Sequence, residues 1–470
     1  MAGLRSPLNV RARGALQDRF LQEALATATT KFMTARREAL AEFPEGEALR
    51  ERGRQIKEAA LQRLDHYLEL LADNVAKAGG VVHWAADARE AREIILGLAR
   101  ERGVRLVVKS KSMATEEIHL NEALEAAGIT PVETDLGEYI IQLARERPSH
   151  IIAPAIHKTK GQVAELFSAR VGETLPPDPE VLTRVARRVL REKFLRADMG
   201  ISGANFAIAE TGTVVLITNE GNGRLITTVP RIHVALMGVE KVIPSMTDLM
   251  VFLRTLPRAA TGQKISSYVT LIRGPRRPGE ADGPEEFHLV VMDNGRIRQL
   301  AGTLREALYC LRCGACLNVC PVYRQIGGHA YGSTYSGPIG ILLTAMIEGH
   351  RAARELAHAS SLCGACQEAC PVKIDIPRML IELRRHLDEE RIAPAAERAL
   401  FGAFARLLER PALFGLTARL GRLLQRPFLR DGRLRALPFF LRGWTGERDL
   451  PAVAPRTFRE RWAELEKEEP

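Results

Sequence analysis

Apolar positions in residues 15–75 recur at helical spacing, as at Leu61, Leu64, Leu68 and Leu71, in a stretch rich in Ala, Leu, Glu, Arg and Gln. Positions three and four apart share one helix face, so the pattern predicts a helical lead-in over residues 1–75. Near residue 80 the period changes. Short β-rich runs then alternate with helical ones: GVVHWA, AREIILGLARERG, VRLVVKS, EIHLNEALEAAG, ITPVETD, EYIIQLARE and HIIAPAI. Strands separated by helices of roughly ten to fifteen residues predict βαβ units and a mostly parallel sheet. ANFAIAET, GTVVLITN and KISSYVTLIRG read as further strands, and HLVVMDNG as a hairpin or strand end. An α/β domain over residues 76–300 is expected, with GPRRPGEADGPEE (274–286) as a loop.

After Arg305 strand signals stop and the texture turns helical. This predicts an all-helical segment over 301–390. From 391 to 470 a helical tail follows, cut by Pro411, Pro427 and Pro438, which cannot continue a helix. Its end, RDLPAVAPRTFRERWAELEKEEP, reads as a proline-rich linker and a short terminal helix.

Composition narrows the class. The 470 residues are 46% hydrophobic and 26% charged, ordinary for a soluble globular protein and too long for one core. No apolar run approaches the roughly 18 residues that span a bilayer. The start, MAGLRSPLNVRARG, is basic but has no apolar stretch behind it. No secretory signal is expected, and the cytoplasm is the expected compartment. The net charge of +10 is unevenly placed: residues 391–443 carry eleven arginines, no lysine and three acids, Glu397, Glu409 and Asp431. Such a region is either a set of solvated amphipathic helices or a basic face for an acidic partner or an anionic membrane. Aromatics are 5% and no nucleic-acid reader motif occurs, so nucleic acid is not an expected partner.

All seven cysteines lie between 310 and 370. An odd set confined to one stretch of a large chain points to metal rather than to disulfides. The first run, CLRCGACLNVCP (310–321), has the spacing C-x2-C-x2-C-x3-C-P of bacterial iron–sulfur proteins, in which the fourth cysteine serves the other cluster. Three thiolates in one tight loop reach three corners of a cubane, Gly314 leaves room beside it, and Pro321 redirects the chain. The second run, SSLCGACQEACP (360–371), superposes on the first but has Ser360 where the first has Cys310.

The crossing rule predicts two [4Fe-4S] clusters. Cys310, Cys313, Cys316 and Cys370 would hold one, and Cys320, Cys363 and Cys366 the other. The fourth corner of the second is open to Ser360, Ser361 or His358, to water or a partner, or to loss of one iron, giving a [3Fe-4S] form. An oxygen ligand or an empty corner would shift the potential within the roughly −700 to +450 mV that such clusters span. Zinc is the alternative metal, since CxxC knuckles serve both. Two clusters with crossed ligands lie close together, which suits passage of single electrons.

With these motifs in view the chain resembles the L-lactate utilization protein B family over nearly its whole length. The stretches that carry the resemblance are VVKSKSMATEEIHLNEAL (107–124), GANFAIAETGTVVLITNEGNGRL (203–225), TTVPRIHVALMGVEKVIPS (227–245), CLRCGAC (310–316), GGHAYGSTYSGPIG (327–340), SSLCGACQEACPVKI (360–374) and DLPAVAPRTFRERW (449–462). It implies a lactate-utilization (LUD) domain, similar in fold to sugar-phosphate isomerases and CoA-transferases, followed by a two-cluster ferredoxin-like domain. It further implies the crossed cysteine assignment, with a second site of three cysteines. The implied role is electron transfer in a three-protein system that oxidises L-lactate to pyruvate and passes electrons to a downstream acceptor.

The α/β domain offers other candidates. Lys109, Ser110, Lys111 and Ser112 follow a strand and precede a helix, where backbone N–H groups meet anions. Glu210, Thr211 and Gly212 end a strand, and GNGR (221–224) reads as a flexible loop. Glu210 is a candidate nucleophile or base. His233 and His329 are isolated, with His329 in a Gly-rich loop after Cys320. No G-x-G-x-x-G fingerprint opens a helix after a strand, so hydride transfer to a nicotinamide is not supported. Three readings stand: an electron carrier, an α/β domain that oxidises a hydroxy acid near Lys109–Ser112 with the clusters as acceptor, and a zinc-held interaction module.

Overall fold

The apolar runs between residues 81 and 292 become ten strands in the computed structural model, which describes residues 7–437, 442, 445, 446 and 448–468. They are β1 (Val81–Ala85), β2 (Leu106–Lys109), β3 (Thr130–Glu133), β4 (Met199–Ser202), β5 (Phe206–Ile208), β6 (Thr213–Thr218), β7 (Ile232–Gly238), β8 (Val242–Ile243), β9 (Tyr268–Ile272) and β10 (Glu286–Met292). Six of them hydrogen-bond in the order β1-β10-β7-β4-β2-β3, every neighbouring pair parallel. This is the expected α/β fold. β4 and β7 are buried at every position, as strands covered on both faces must be.

Period-two alternation sorts the side chains. Val107 joins Ile95, Leu120, Ile201 and Val234 in one core, under helices Ala88–Glu101 and Leu120–Ala126. Val108 joins Ile140, Phe167, Leu190 and Phe194 in the other, under Leu136–Ala144, Lys160–Val171 and Pro179–Arg196. Caps fix where these helices begin. The Asp87 carboxylate accepts from Glu90 N at 2.9 Å, and Asp178 accepts from Glu180 N and Val181 N with Pro179 opening the helix. Because the strands are parallel, the loops after β2, β3, β4 and β7 share one edge of the sheet.

Several expectations are corrected. The strand content divides into two sheets: β8, β5, β6 and β9 form a second, four-stranded one, with β8–β5 parallel and the other pairs antiparallel. HLVVMDNG is neither hairpin nor strand end alone; β10 is an inner strand between β1 and β7. HIIAPAI is not a strand. Residues 149–156 form bends closed by Ser149 N to Pro154 O at 3.0 Å, and Ile151 and Ile156 are buried by side-chain contact instead of by a ladder. In the tail, Leu429–Arg430, Arg433–Leu434 and Leu450–Pro451 make a small antiparallel sheet beside helices Ala395–Leu408, Pro411–Leu424 and Phe458–Glu468. Pro438 lies outside the described residues, as do 439–441 and 443 of the arginine-rich stretch and residues 1–6.

The chain divides after Leu387 into two compact units. In the larger, the lead-in helices Leu8–Gln17, Arg19–Ala41, Gly46–Gln62 and Leu64–Lys77 join the sheet domain to the cysteine region. Arg11 Nε donates to Ala330 O at 2.7 Å, Arg50 Nε to Cys370 O at 3.0 Å and Asn74 Nδ2 to Ala209 O at 2.9 Å. Gly212 (φ +68°) turns β5 into β6 against Asn74, where a Cβ would come within 2.5 Å of the backbone. Among the described residues no helix is long and apolar enough to cross a membrane.

Candidate metal centre

The two cysteine runs fold alike. Arg312 and Leu362 have φ of 60° and 55°; Gly314 and Gly364 have φ of 72° and 83°. Each central cysteine, Cys313 or Cys363, thus sits between two left-handed residues, and one-turn helices Ala315–Asn318 and Ala365–Ala369 follow. A left-handed Arg or Leu costs about 1–2 kcal/mol, so the same strain at matching positions marks a conformation that both loops need. The bond that closes each loop also repeats. Arg312 N donates to Cys310 Sγ at 3.4 Å, and Leu362 N donates to Ser360 Oγ at 3.2 Å. A Cβ on Gly314 would stand 3.1 Å from His150 Cε1, in the loop after Ala144 that wraps this region.

Ala315 and Ala369 pack together against Ala259, which brings the two runs side by side. All seven cysteines are free. The thiols that act on one another fall into two sets. Burial, then Cys370 and Cys310, pushes Cys313 up to about 12. Burial, then Cys310, Cys313, Cys366 and Cys370, pushes Cys316 well up. Burial is also the main cause for Cys370, up to about 11, which faces Cys310. In the other set, burial and Cys320 push Cys366 up to about 12, and burial outweighs backbone N–H bonds to raise Cys320, which faces Cys363. Cys363 is exposed, and a hydrogen bond from Ser361 lowers it. Cys316 and Cys366 are the neighbours across the two sets.

Thiols this buried do not ionise unless a cation compensates them. An all-sulfur donor set of four and three, buried except for the half-buried Cys313 and the exposed Cys363, fits a thiolate-bound metal cluster. Cations surround the first set: Arg36 feels Cys313 and Cys370, and Arg312 and Lys241 feel Cys310. Ser361, which bonds Cys363, is exposed, as is His358, while Ser360 is half-buried.

The α/β candidates separate. Lys109 is fully buried and bonds Glu133 Oε1 at 2.5 Å and Asn121 Oδ1 at 2.6 Å, so it is a core ion pair and not an anion site. Ser110, Lys111 and Ser112 do line a cavity of about 630 Å³ along the carboxyl edge of the parallel sheet, and Cys313 lines it too. GNGR is not a loop: Gly221 caps helix Asn222–Thr228, and Asn222 donates to Thr134 Oγ1 at 3.3 Å. Glu210 is exposed and accepts from Met246 N at 3.1 Å, holding the start of Met246–Thr261; Thr211 bonds Thr213. His233 is a core residue, 2.9 Å from Ser202 Oγ and stacked on Phe287. His329 bonds Arg147 O at 2.7 Å and meets His157 edge to face beside Glu146.

Sequence reasoning missed the charged cluster where the sheet meets the cysteines. Glu117 accepts from Arg296 Nη1 and Nη2 at 2.9 and 2.8 Å and from Tyr335 OH at 2.7 Å, while Glu240 lies 2.7 Å from Arg296 Nε and 3.3 Å from Arg312 Nη2. Arg312 was findable, lying inside a CxxC; Glu117, Glu240, Lys241 and Arg296 have no local signal.

Residues 68–292 match the LUD domain family, 306–374 the 4Fe-4S dicluster domain, and 386–467 the lactate utilisation protein B C-terminal family. The chain is 46% identical to lactate utilization protein B of Bacillus licheniformis, covering 97% of this chain and 96% of that one. It is 45% identical to the protein of that name from Shouchella clausii (98% of each) and 44% identical to that of Bacillus subtilis (97% and 95%). A crystal structure of a DUF162 family protein from Deinococcus radiodurans aligns with 49% of this chain and 98% of its own at a TM-score of 0.27 and 13% identity, a likeness too slight to bear on the fold.

Proposed function

The chain belongs to the lactate utilization protein B family, and from that premise we propose that it relays electrons in the oxidation of L-lactate to pyruvate, as one of three proteins in that system. Its 4Fe-4S dicluster domain match gives it an iron–sulfur role in lactate utilization. The observation that carries the finer reading is the grouping of seven thiols across two runs: Cys370 with Cys310, Cys313 and Cys316, and Cys320 with Cys363 and Cys366.

In this reading the first four thiolates hold one [4Fe-4S] cluster and the other three hold a second. Ser360 Oγ stands at the fourth corner, since it takes from Leu362 N the bond that Cys310 Sγ takes from Arg312 N. What the clusters supply is uptake and release of single electrons. Removing two electrons from a hydroxy acid calls for two such sites, or two passes. The residues' part is to hold the pair close through Cys316 and Cys366, to bury Cys310, Cys316 and Cys370 of the first set, and to leave the second set's Cys363 facing outward toward a donor or acceptor. The confinement of all seven cysteines to one short stretch, a pattern of metal ligation and not of disulfides, supports a cytoplasmic location in this reading. The arginine-rich tail, with Leu400, Phe401 and Phe404 exposed beside its arginines, is proposed to meet an anionic surface peripherally.

An oxygen-free preparation tests this with iron, sulfide and EPR. About eight irons and matching sulfide per chain are expected, or about seven where the serine-held iron is lost. Ser360→Cys should abolish any [3Fe-4S] signal and Ser360→Ala should increase it. Zinc without sulfide overturns the relay, and so does turnover of L-lactate by this chain alone with an artificial acceptor.

A further inference from the structure

The cavity on the carboxyl edge of the parallel sheet is unused by the electron relay, yet it ends at one of its cysteines. Its lining runs from Ser110 and Lys111 to Lys241, Arg312 and Cys313. At about 630 Å³ it falls within the range of sites that hold organic ligands. A three-carbon acid would leave most of it empty.

Its charges are not balanced. Arg296 is hydrogen-bonded to Glu117 through both terminal nitrogens and charge-paired with Glu240, 2.7 Å from its Nε. Glu240 therefore serves two guanidiniums, those of Arg296 and Arg312. Arg312, 9% exposed at its side chain and stacked 4.9 Å from the Tyr335 ring, keeps a buried Nη1 with no hydrogen-bond partner. Lys241 lies next to it, half-buried; it feels Glu240 and Cys310 at longer range, but among the described residues its amine makes no hydrogen bond or close ion pair. The acids that line the cavity are occupied: Asp135 caps Leu136–Ala144 through Gly137 N and Glu138 N, and Glu220 accepts from Leu136 N. Leu216, Leu236 and Leu256 supply apolar wall. A buried donor without an acceptor is costly, so Arg312 Nη1, with the half-buried Lys241 amine beside it, is complementary to something that brings an acceptor and negative charge.

We propose that this cavity binds an organic anion, a carboxylate or phosphate head held by Lys241 and Arg312 with a larger body against the leucines, and that its occupancy is coupled to the oxidation state of the cluster held by Cys313. The coupling rests on the relay reading; the anion site does not. An electron added beside a bound anion repels it, so reduction weakens binding, and by reciprocity the anion favours the oxidised cluster.

The test is calorimetric titration of anaerobic protein, oxidised and dithionite-reduced, with flavin mononucleotide as the phosphate probe and phenylpyruvate as the carboxylate probe, and with iron measured on the same sample. One equivalent of one probe is expected to bind; which one identifies the head group. Lys241→Met should weaken it roughly ten- to a hundredfold. Ala204→Phe, which adds bulk to the lining without touching a charge, should abolish it. Reduction should weaken it in wild type. Iron-loaded protein that binds neither probe, or binds either equally well as Lys241→Met, overturns the site and leaves the relay standing. Binding that is indifferent to reduction overturns the coupling. Protein without iron that still binds a probe overturns the relay and leaves the site.

Discussion

Glu117→Gln tests the junction between the sheet and the cysteine region. The Glu117 carboxylate accepts four hydrogen bonds, from Arg296 Nη1 and Nη2, Asn294 Nδ2 and Tyr335 OH, all between 2.7 and 2.9 Å. Its side chain and that of Arg296 are each 1% exposed. A glutamine keeps the shape but sets an NH2 against two of those four donors and removes the charge facing a buried guanidinium. Breaking one side of a buried pair costs about 3–5 kcal/mol. Arg296 retains Glu240 at 2.7 Å, which places the loss near the lower end, about 3 kcal/mol. That is a large share of the roughly 5–15 kcal/mol that holds a typical domain folded. The assay is urea unfolding of the anaerobic protein at neutral pH, with the midpoint shift multiplied by the common slope. Acid gives a second reading. Burial is the largest influence and would raise both carboxyls, but Arg296 together with the hydrogen bonds from Asn294 and Tyr335 lowers Glu117, and Arg296, Arg312 and Lys241 together lower Glu240 to about 2. Groups lowered on folding contribute stability that is present above the ordinary carboxylate value, about 4.3, and lost as pH falls through the folded value. The wild type should therefore lose stability from about pH 4 toward 2, and the variant should show a shallower loss there. A cost below about 1 kcal/mol together with an unchanged acid profile would refute the junction as described.

Gly328→Ala puts a Cβ 1.8 Å from the Ser149 carbonyl oxygen, which also accepts from Tyr323 OH at 2.8 Å; a loss of about 3 kcal/mol in the same unfolding assay is expected, and a neutral substitution would mean the 149–156 loop does not sit there. Lys109→Met leaves Glu133 buried beside Glu116 and Glu138, both of which are raised mainly by burial, with Glu133 adding to it; it should lower the urea midpoint sharply while Lys111→Met shifts it little, and equal small effects would reinstate Lys109 as a ligand-facing group. Sedimentation with phosphatidylglycerol vesicles should retain the protein at low salt and release it at high salt, with phosphatidylcholine vesicles inactive; Phe401→Asp with Phe404→Asp should abolish retention, and no retention of wild type removes the surface-contact proposal.

Local spacing carries the metal chemistry of this chain, because three thiolates that reach one cluster must sit within a few residues of each other. The pairs Gly314-Ala315 and Gly364-Ala365 and the two Cys-Pro endings were therefore legible as a repeat, and Ser360 stood out against it. The parallel sheet was legible for a similar reason: strands covered on both faces read as short apolar runs between helices, as in Val107 and Val108. What failed was apolar sequence whose burial comes from distant chain. Residues 150–156 look like a strand, but His150 meets Asn318 and Ser149 meets Tyr323 across more than 160 residues of sequence. Lys109 looked like an anion site because its loop is in the right place, yet β3 sets Glu133 beside it in register. Side-chain spacing along one segment is a property of the sequence; which charge faces which across segments is settled only when the sheet closes, and so the unbalanced pair Lys241 and Arg312 became visible only in the folded chain.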